Sequence, residues 1–277
     1  KKWSSINTMD PAYDQYEKAR EFYRTHEYLA WIGEDESDEE TIRSASEEAL
    51  DQSENANSPA NTDSASAKIS DQPMIYPMQQ LMDYDFLMKH FYNVHTSTTA
   101  DRELMNAKNL LSKDLTLEKE DAPQILIYHT HSQESYKNSK KDENVVAVGQ
   151  KLTDLLTEKG WNVYHDTTVY DLAVGKLDRS RAYTYALEGI NEILARYPSI
   201  QVVLDIHRDG VGEDVYMKTE IGGQPSARIM FFNGLSRTRK NGEIAYLNNP
   251  YREDNLATSF QMQLMAARYY PGFTRHI

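Results

Sequence analysis

Three short apolar runs, separated by two stretches of helical period, do most to restrict what this chain can fold into. The first, ILIY at 125–128, is bounded like a buried strand. Val145, Val148, Leu152 and Leu155 then recur at helical spacing, and Gly160 stops that helix before the second run, in KGWNVYHD. Tyr183, Leu187, Ile190, Leu194 and Tyr197 share one face of a second helix, which YPS ends ahead of the third run, IQVVLDIH at 200–207. Strand, helix, strand, helix, strand in this order predicts an α/β fold: a mixed, mostly parallel sheet flanked by helices. Beyond it, Gly222 and Gly223 predict a hairpin, and REDNLATSFQMQLMAARYY predicts a last helix capped near Asp254.

The sequence ahead of the first run divides into three. Residues 1–33 carry an amphipathic helical pattern with Tyr13, Tyr16, Phe22, Tyr23 and Trp31 among charges. Residues 34–72 hold twelve acidic and two basic side chains, so this stretch supplies −10 of the formal net charge of −13. Such a composition buries too little apolar surface to offset chain entropy and predicts a disordered linker. Residues 73–120 are dense in Met, Leu and aromatic residues, which predicts a helical lead-in packed on a domain formed by 121–277; His90 and His95 read there as packing residues.

Charge and composition exclude several function classes. With the linker set aside the chain is close to neutral, and its densest basic group, LSRTRKNG at 235–242, reads as a solvated turn, so nucleic acid is not an expected partner. Cysteine is absent, which leaves His, Asp and Glu as the side chains for any metal site. No apolar run reaches the roughly 18 residues of a membrane span. A chain of this kind is either cytosolic or the soluble part of a longer protein.

Ligands in open α/β sheets collect beyond the carboxyl ends of the parallel strands, and two of those ends are loaded with ionisable groups. The first strand runs into His129-Thr130-His131 with Glu134 three residues on; the third ends in Asp205-Ile206-His207-Arg208-Asp209. If those strands are neighbours, imidazoles and a carboxylate converge. A hydrolytic zinc ion needs three protein ligands at about 2.0–2.2 Å and an open position, where the pKa of water falls to about 7. Extended backbone would put His129 and His131 on the same side, while a turn after Tyr128 would part them; both arrangements stay open. His165, His26 and His276 lack such company, and Ser132 and Ser135 lack the glycine-flanked elbow of a serine hydrolase.

The motifs ILIYHTHSQESY, NVVAVGQKL, HDTTVYD, RSRAYTYAL, YPSIQVVLDIHRDG and ARIMFFNG, together with DYDFLMKHFYNVHTSTTADRELMNAKNLLSKDLTLE, are similar to those of the stage II sporulation protein P family over roughly residues 74–277. The resemblance implies an amidase-like domain and a zinc-dependent peptidoglycan hydrolase: an N-acetylmuramoyl-L-alanine amidase that releases stem peptides, with endopeptidase activity on cross-links. It implies His131 and His207 as zinc ligands. Similar amidases take the middle carboxylate from the start of the following helix; Glu134 is the choice here, Glu143 its rival, and His129 an alternative ligand or a donor behind the ligands. Arg208 is a candidate for holding an acidic stem peptide. Such amidases carry a further glutamate for proton transfer on a late strand, and this chain stops at Ile277 before it. The implied setting is forespore engulfment, extracytoplasmic and membrane-anchored between the mother-cell and forespore membranes, with stage II sporulation proteins D and M as partners.

Overall fold

The computed structural model describes residues 74–277 except 138, 141, 174, 175, 178, 213, 214 and 246–248. The expected N-terminal helix (1–33) and acidic linker (34–72) lie outside the described residues. Helices α1 (Met78–Leu81), α2 (Tyr84–Phe91) and α3 (Ala107–Ser112) come first. Then follow β1 (Ile125–Tyr128), α4 (Val145–Glu158), β2 (Val163–His165), the short strands β3 (Leu172–Ala173) and β4 (Lys176–Leu177), α5 (Arg179–Arg196) and β5 (Val202–Asp205). The chain closes with β6 (Lys218–Ile221), β7 (Gln224–Ala227), β8 (Arg237–Thr238), β9 (Gly242–Glu243) and α6 (Arg252–Tyr269). These elements form two compact units, one of residues 116–212 and one of 74–115 with 215–277.

In the unit of residues 116–212 the sheet runs β2-β1-β5, with β1 parallel to both neighbours. Among the described residues the antiparallel strand pairs form separate two-stranded ribbons. Ile125, Leu126 and Ile127 are all buried, as a central strand covered on both faces requires. Leu126 packs with Ile190, Ile193 and Leu194 of α5. Because side chains alternate across a strand, the residues on either side of Leu126 face the other way, and there α4 lies so close that a Cβ on Gly149 would come within 2.6 Å of the His129 ring.

Both helix faces are rotated from those the large apolar residues predict. In α4 the buried residues are Val145 and Gly149, while Val148 and Leu155 are exposed. In α5 Ala182, Ala186, Ile190 and Leu194 are buried, and Tyr183 and Leu187 are exposed. Small residues occupy the close approaches, so bulk misplaces the stripe.

The other unit has its own core, in which Leu87, Phe91, Leu110, Leu111, Leu256 and Phe260 are buried together. Ile277 ties into it by paired main-chain bonds: its N–H donates to Phe91 and its carbonyl accepts from Asn93, each at 2.8 Å. The hairpin β6–β7 turns on Gly222 and Gly223, both at positive φ, as a tight turn of this type demands. Asp254 does not cap α6. Tyr251 holds the N-cap position, and Asp254 sits in the first turn, paired with Lys113 at 3.0 Å. No helix among the described residues is long and apolar enough to cross a membrane.

Candidate metal centre

The parallel register sets Tyr128 beside Asp205, so the chain leaves β1 and β5 at the same edge of the sheet and side by side. After Tyr128 it turns rather than extends, and the turn parts the two histidines. His129 goes under α4, with no exposed surface. Its Nδ1 faces the Ile206 carbonyl at 3.2 Å and its Nε2 faces His165 Nε2 at 2.9 Å. His131 goes to the α5 side, where its ring stands 5.3 Å from that of His207 and 5.2 Å from that of Tyr183, centre to centre. The two imidazoles expected at the strand exits are thus together, and His129 is not brought to them.

Glu134 reaches the same place by a different route. Its carbonyl accepts from Val145 N–H at 3.0 Å, and Ser135 bridges Asn144, so the loop folds back onto the start of α4. The carboxylate, 7% exposed, accepts from Arg179 Nη2 at 2.7 Å and from the main-chain N–H of Arg208 at 2.6 Å; its Oε2 lies 3.8 Å from His207 Nδ1. Glu143 is instead held within its own turn, accepting from Lys140 N–H at 3.0 Å. The Arg208 guanidinium turns to the Asp209 carbonyl.

Two further carboxylates fix the loops. Asp205 accepts from Thr130 N–H at 3.0 Å, from Thr130 Oγ1 at 2.6 Å and from His207 Nε2 at 2.7 Å. Buried Asp171 accepts from Ser132 Oγ at 2.8 Å and from Gln133 N–H at 3.1 Å. Burial would by itself push the His207 pKa down, but Asp205 and Glu134 together hold it above the ordinary value. Burial would raise Asp205, and the His207 and Thr130 bonds outweigh it and lower it. His131 is lowered, first by burial and then by the neighbouring His207 and Arg179 charges.

The model of the stage II sporulation protein P family matches residues 9–277. The chain belongs to that family. Stage II sporulation protein P of Bacillus subtilis (strain 168) is 26% identical over 167 residues, an overlap of 56% of this chain and 38% of the relative. The match therefore spans well under half of that relative's length. No solved structure matches. Membership in the stage II sporulation protein P family ties the chain to sporulation.

Whether the residues fit the zinc ion expected in this family member is a question of donors. Among the described residues no three His, Asp or Glu side chains are gathered closely enough to hold an ion as they stand. Their chemistry nevertheless fits one. His131 Nδ1 is buried without a hydrogen-bond partner. His207 gives one nitrogen to Asp205 and turns the other toward Glu134, the carboxylate-backed arrangement common among histidine ligands. Two ligand atoms on a tetrahedral zinc stand about 3.4 Å apart, close to the 3.8 Å between His207 Nδ1 and Glu134.

Sequence reading missed four residues here. Arg179 and Tyr183 lie one turn apart at the start of α5, within the motif RSRAYTYAL, but helical spacing put Tyr183 in the apolar stripe and gave Arg179 no role. Asp171 and His165 act on partners more than thirty residues away. No local pattern marks them.

Proposed function

We propose that this chain is a zinc-dependent peptidoglycan hydrolase, an N-acetylmuramoyl-L-alanine amidase with endopeptidase activity, working in forespore engulfment. The observation that carries the reading is the pairing of His131 and His207 at the exits of adjacent parallel strands, with the Glu134 carboxylate beside them. His131, Glu134 and His207 would hold the ion. When bound there, zinc supplies a Lewis acid that polarises a carbonyl and acidifies water.

The chain's own groups do the rest. Asp205 fixes the His207 ring so that Nδ1 is the nitrogen turned inward, and it ties that ring to Thr130, between the two histidines of the first exit. Asp171 clamps Ser132 and Gln133, the residues that link His131 to Glu134. Ser132 and Gln133 also wall a cavity of about 470 Å³ together with Asn144 and Gln150, which leaves room for a peptide next to the site. The stem peptides of peptidoglycan are the proposed substrate. The proposed setting is extracytoplasmic, between the mother-cell and forespore membranes, with a membrane anchor and with stage II sporulation proteins D and M as partners.

Purified protein given zinc and sacculi should release free stem peptides. The variants His131→Ala, Glu134→Ala and His207→Ala should each lose zinc, measured by metal analysis, while Glu143→Ala keeps it. Retention of the protein on sacculi without products would sink the enzyme reading and favour a second one: a cell-wall-binding scaffold of the same fold. That alternative draws on the hold of Arg179 and the Arg208 N–H on Glu134, which satisfies the carboxylate within the protein.

A further inference from the structure

Helix α5 offers the site more than a wall. Its first residue, Arg179, donates to Glu134, and Tyr183 follows four positions later, so both project from one side of the helix. The Tyr183 ring stands edge-on to His131 at 5.2 Å and nearly parallel to His207 at 6.4 Å. It stands beside both imidazoles and is still 44% exposed. Its hydroxyl has no hydrogen-bond partner among the described residues. A ring needed only for packing would belong to the buried stripe of α5, which is Ala182, Ala186 and Ile190 instead.

We propose, resting on the hydrolase reading above, that Tyr183 is a catalytic residue whose hydroxyl donates a hydrogen bond to the oxygen of the scissile carbonyl as charge builds on it. In the step, the water oxygen bonds to the carbonyl carbon and the carbon–nitrogen bond breaks. The proton given up by water goes to the departing amine, and the phenolic proton stays on Tyr183. A donor at this place must remain protonated through neutral pH. A phenol ordinarily ionises only at about pH 10, which meets that requirement. The hydroxyl supplies charge stabilisation rather than proton transfer. Removing one such donor typically costs about 10²–10³ in kcat.

The test uses the full 277-residue chain loaded with zinc, acting on soluble muropeptides. Tyr183→Phe keeps the ring against both imidazoles and removes only the hydroxyl. Its kcat should fall about 10²–10³-fold with KM and zinc content unchanged. A phosphinic peptide that mimics the tetrahedral state should lose affinity by a similar factor, measured by calorimetry, while the cleaved reaction products bind as before. A kcat for Tyr183→Phe within threefold of the parent, or unchanged affinity for the phosphinic peptide, would overturn the assignment and leave the amidase intact. A parent protein that releases no peptide from muropeptides would overturn both, and the two failures are told apart by the parent alone.

Discussion

Asp205 takes three donors onto one carboxylate: Thr130 N–H, Thr130 Oγ1 and His207 Nε2. An asparagine in its place offers a single acceptor oxygen and turns an NH₂ group toward at least one of those donors. The penalty falls on a group that is mostly buried, where an unmet donor is expensive. Asp205→Asn should therefore leave the ligands in place and weaken zinc binding about 10–100-fold, the usual cost of losing the carboxylate behind a histidine ligand. Calorimetric zinc titration measures it, and an affinity within threefold of the parent would show that Asp205 does not set the ring. That His131, Glu134 and His207 come together was legible in the sequence because two strand exits carry an unusual density of ionisable groups. The role of Asp205 was not, since a carboxylate two residues before a histidine has no spacing that distinguishes it from a surface charge. The fate of His129 hung on one turn at 130–133, and alternation alone predicted neither side.

At the scale of elements, the apolar run of β1 was readable because a strand buried on both faces has no polar alternation to obscure it. The helix faces were misread where glycine or alanine marks the close approach. Gly149 is the sharpest case: a Cβ there would lie 2.6 Å from His129 Cε1 and Nε2 and 2.9 Å from His165 Nε2. Neither ring can retreat easily, because His129 is held at Ile206 and His165 at Gln150. Gly149→Ala removes a helix-weakening glycine, worth about 1 kcal/mol in favour, but overpacks the buried pair by about 1–3 kcal/mol, so a net loss is expected. Urea denaturation gives the sign, and a stabilised variant would show that α4 can lift from the sheet. The turn at Asp101 sets an acid limit of another kind. The Leu104 N–H at 2.9 Å and then Arg237 at 2.7 Å hold its carboxyl below the ordinary carboxylate range, against a smaller opposing effect of burial. Its contribution is present in full above the unfolded value and is lost as pH falls through the lowered folded one. Asp101→Asn should flatten the acid limb of the stability curve modestly, since the pair is half exposed.

At the scale of the molecule, the chain passes from one compact unit into the other and back: residues 116–212 carry the sheet and every candidate ligand, while 74–115 and 215–277 build a second core. Phe260 is fully buried in that second core, edge-on to Phe91 at 5.4 Å and stacked on Tyr92 at 6.1 Å. Truncating it removes a filled aromatic volume from between two segments distant in sequence, and Phe→Ala changes of this type cost about 3–5 kcal/mol. That loss is comparable to the whole stability of a modest domain, so the unit containing α6 should open first. The proposed ligands His131, Glu134 and His207 draw their geometry from the β1–β5 register and from α5, all within 116–212. Phe260→Ala is thus expected to split thermal unfolding into two transitions and to leave zinc affinity within about threefold, because Phe260 and the proposed ligands belong to different compact units. A single lowered transition with zinc affinity lost in step would mean that the two cores stand or fall together.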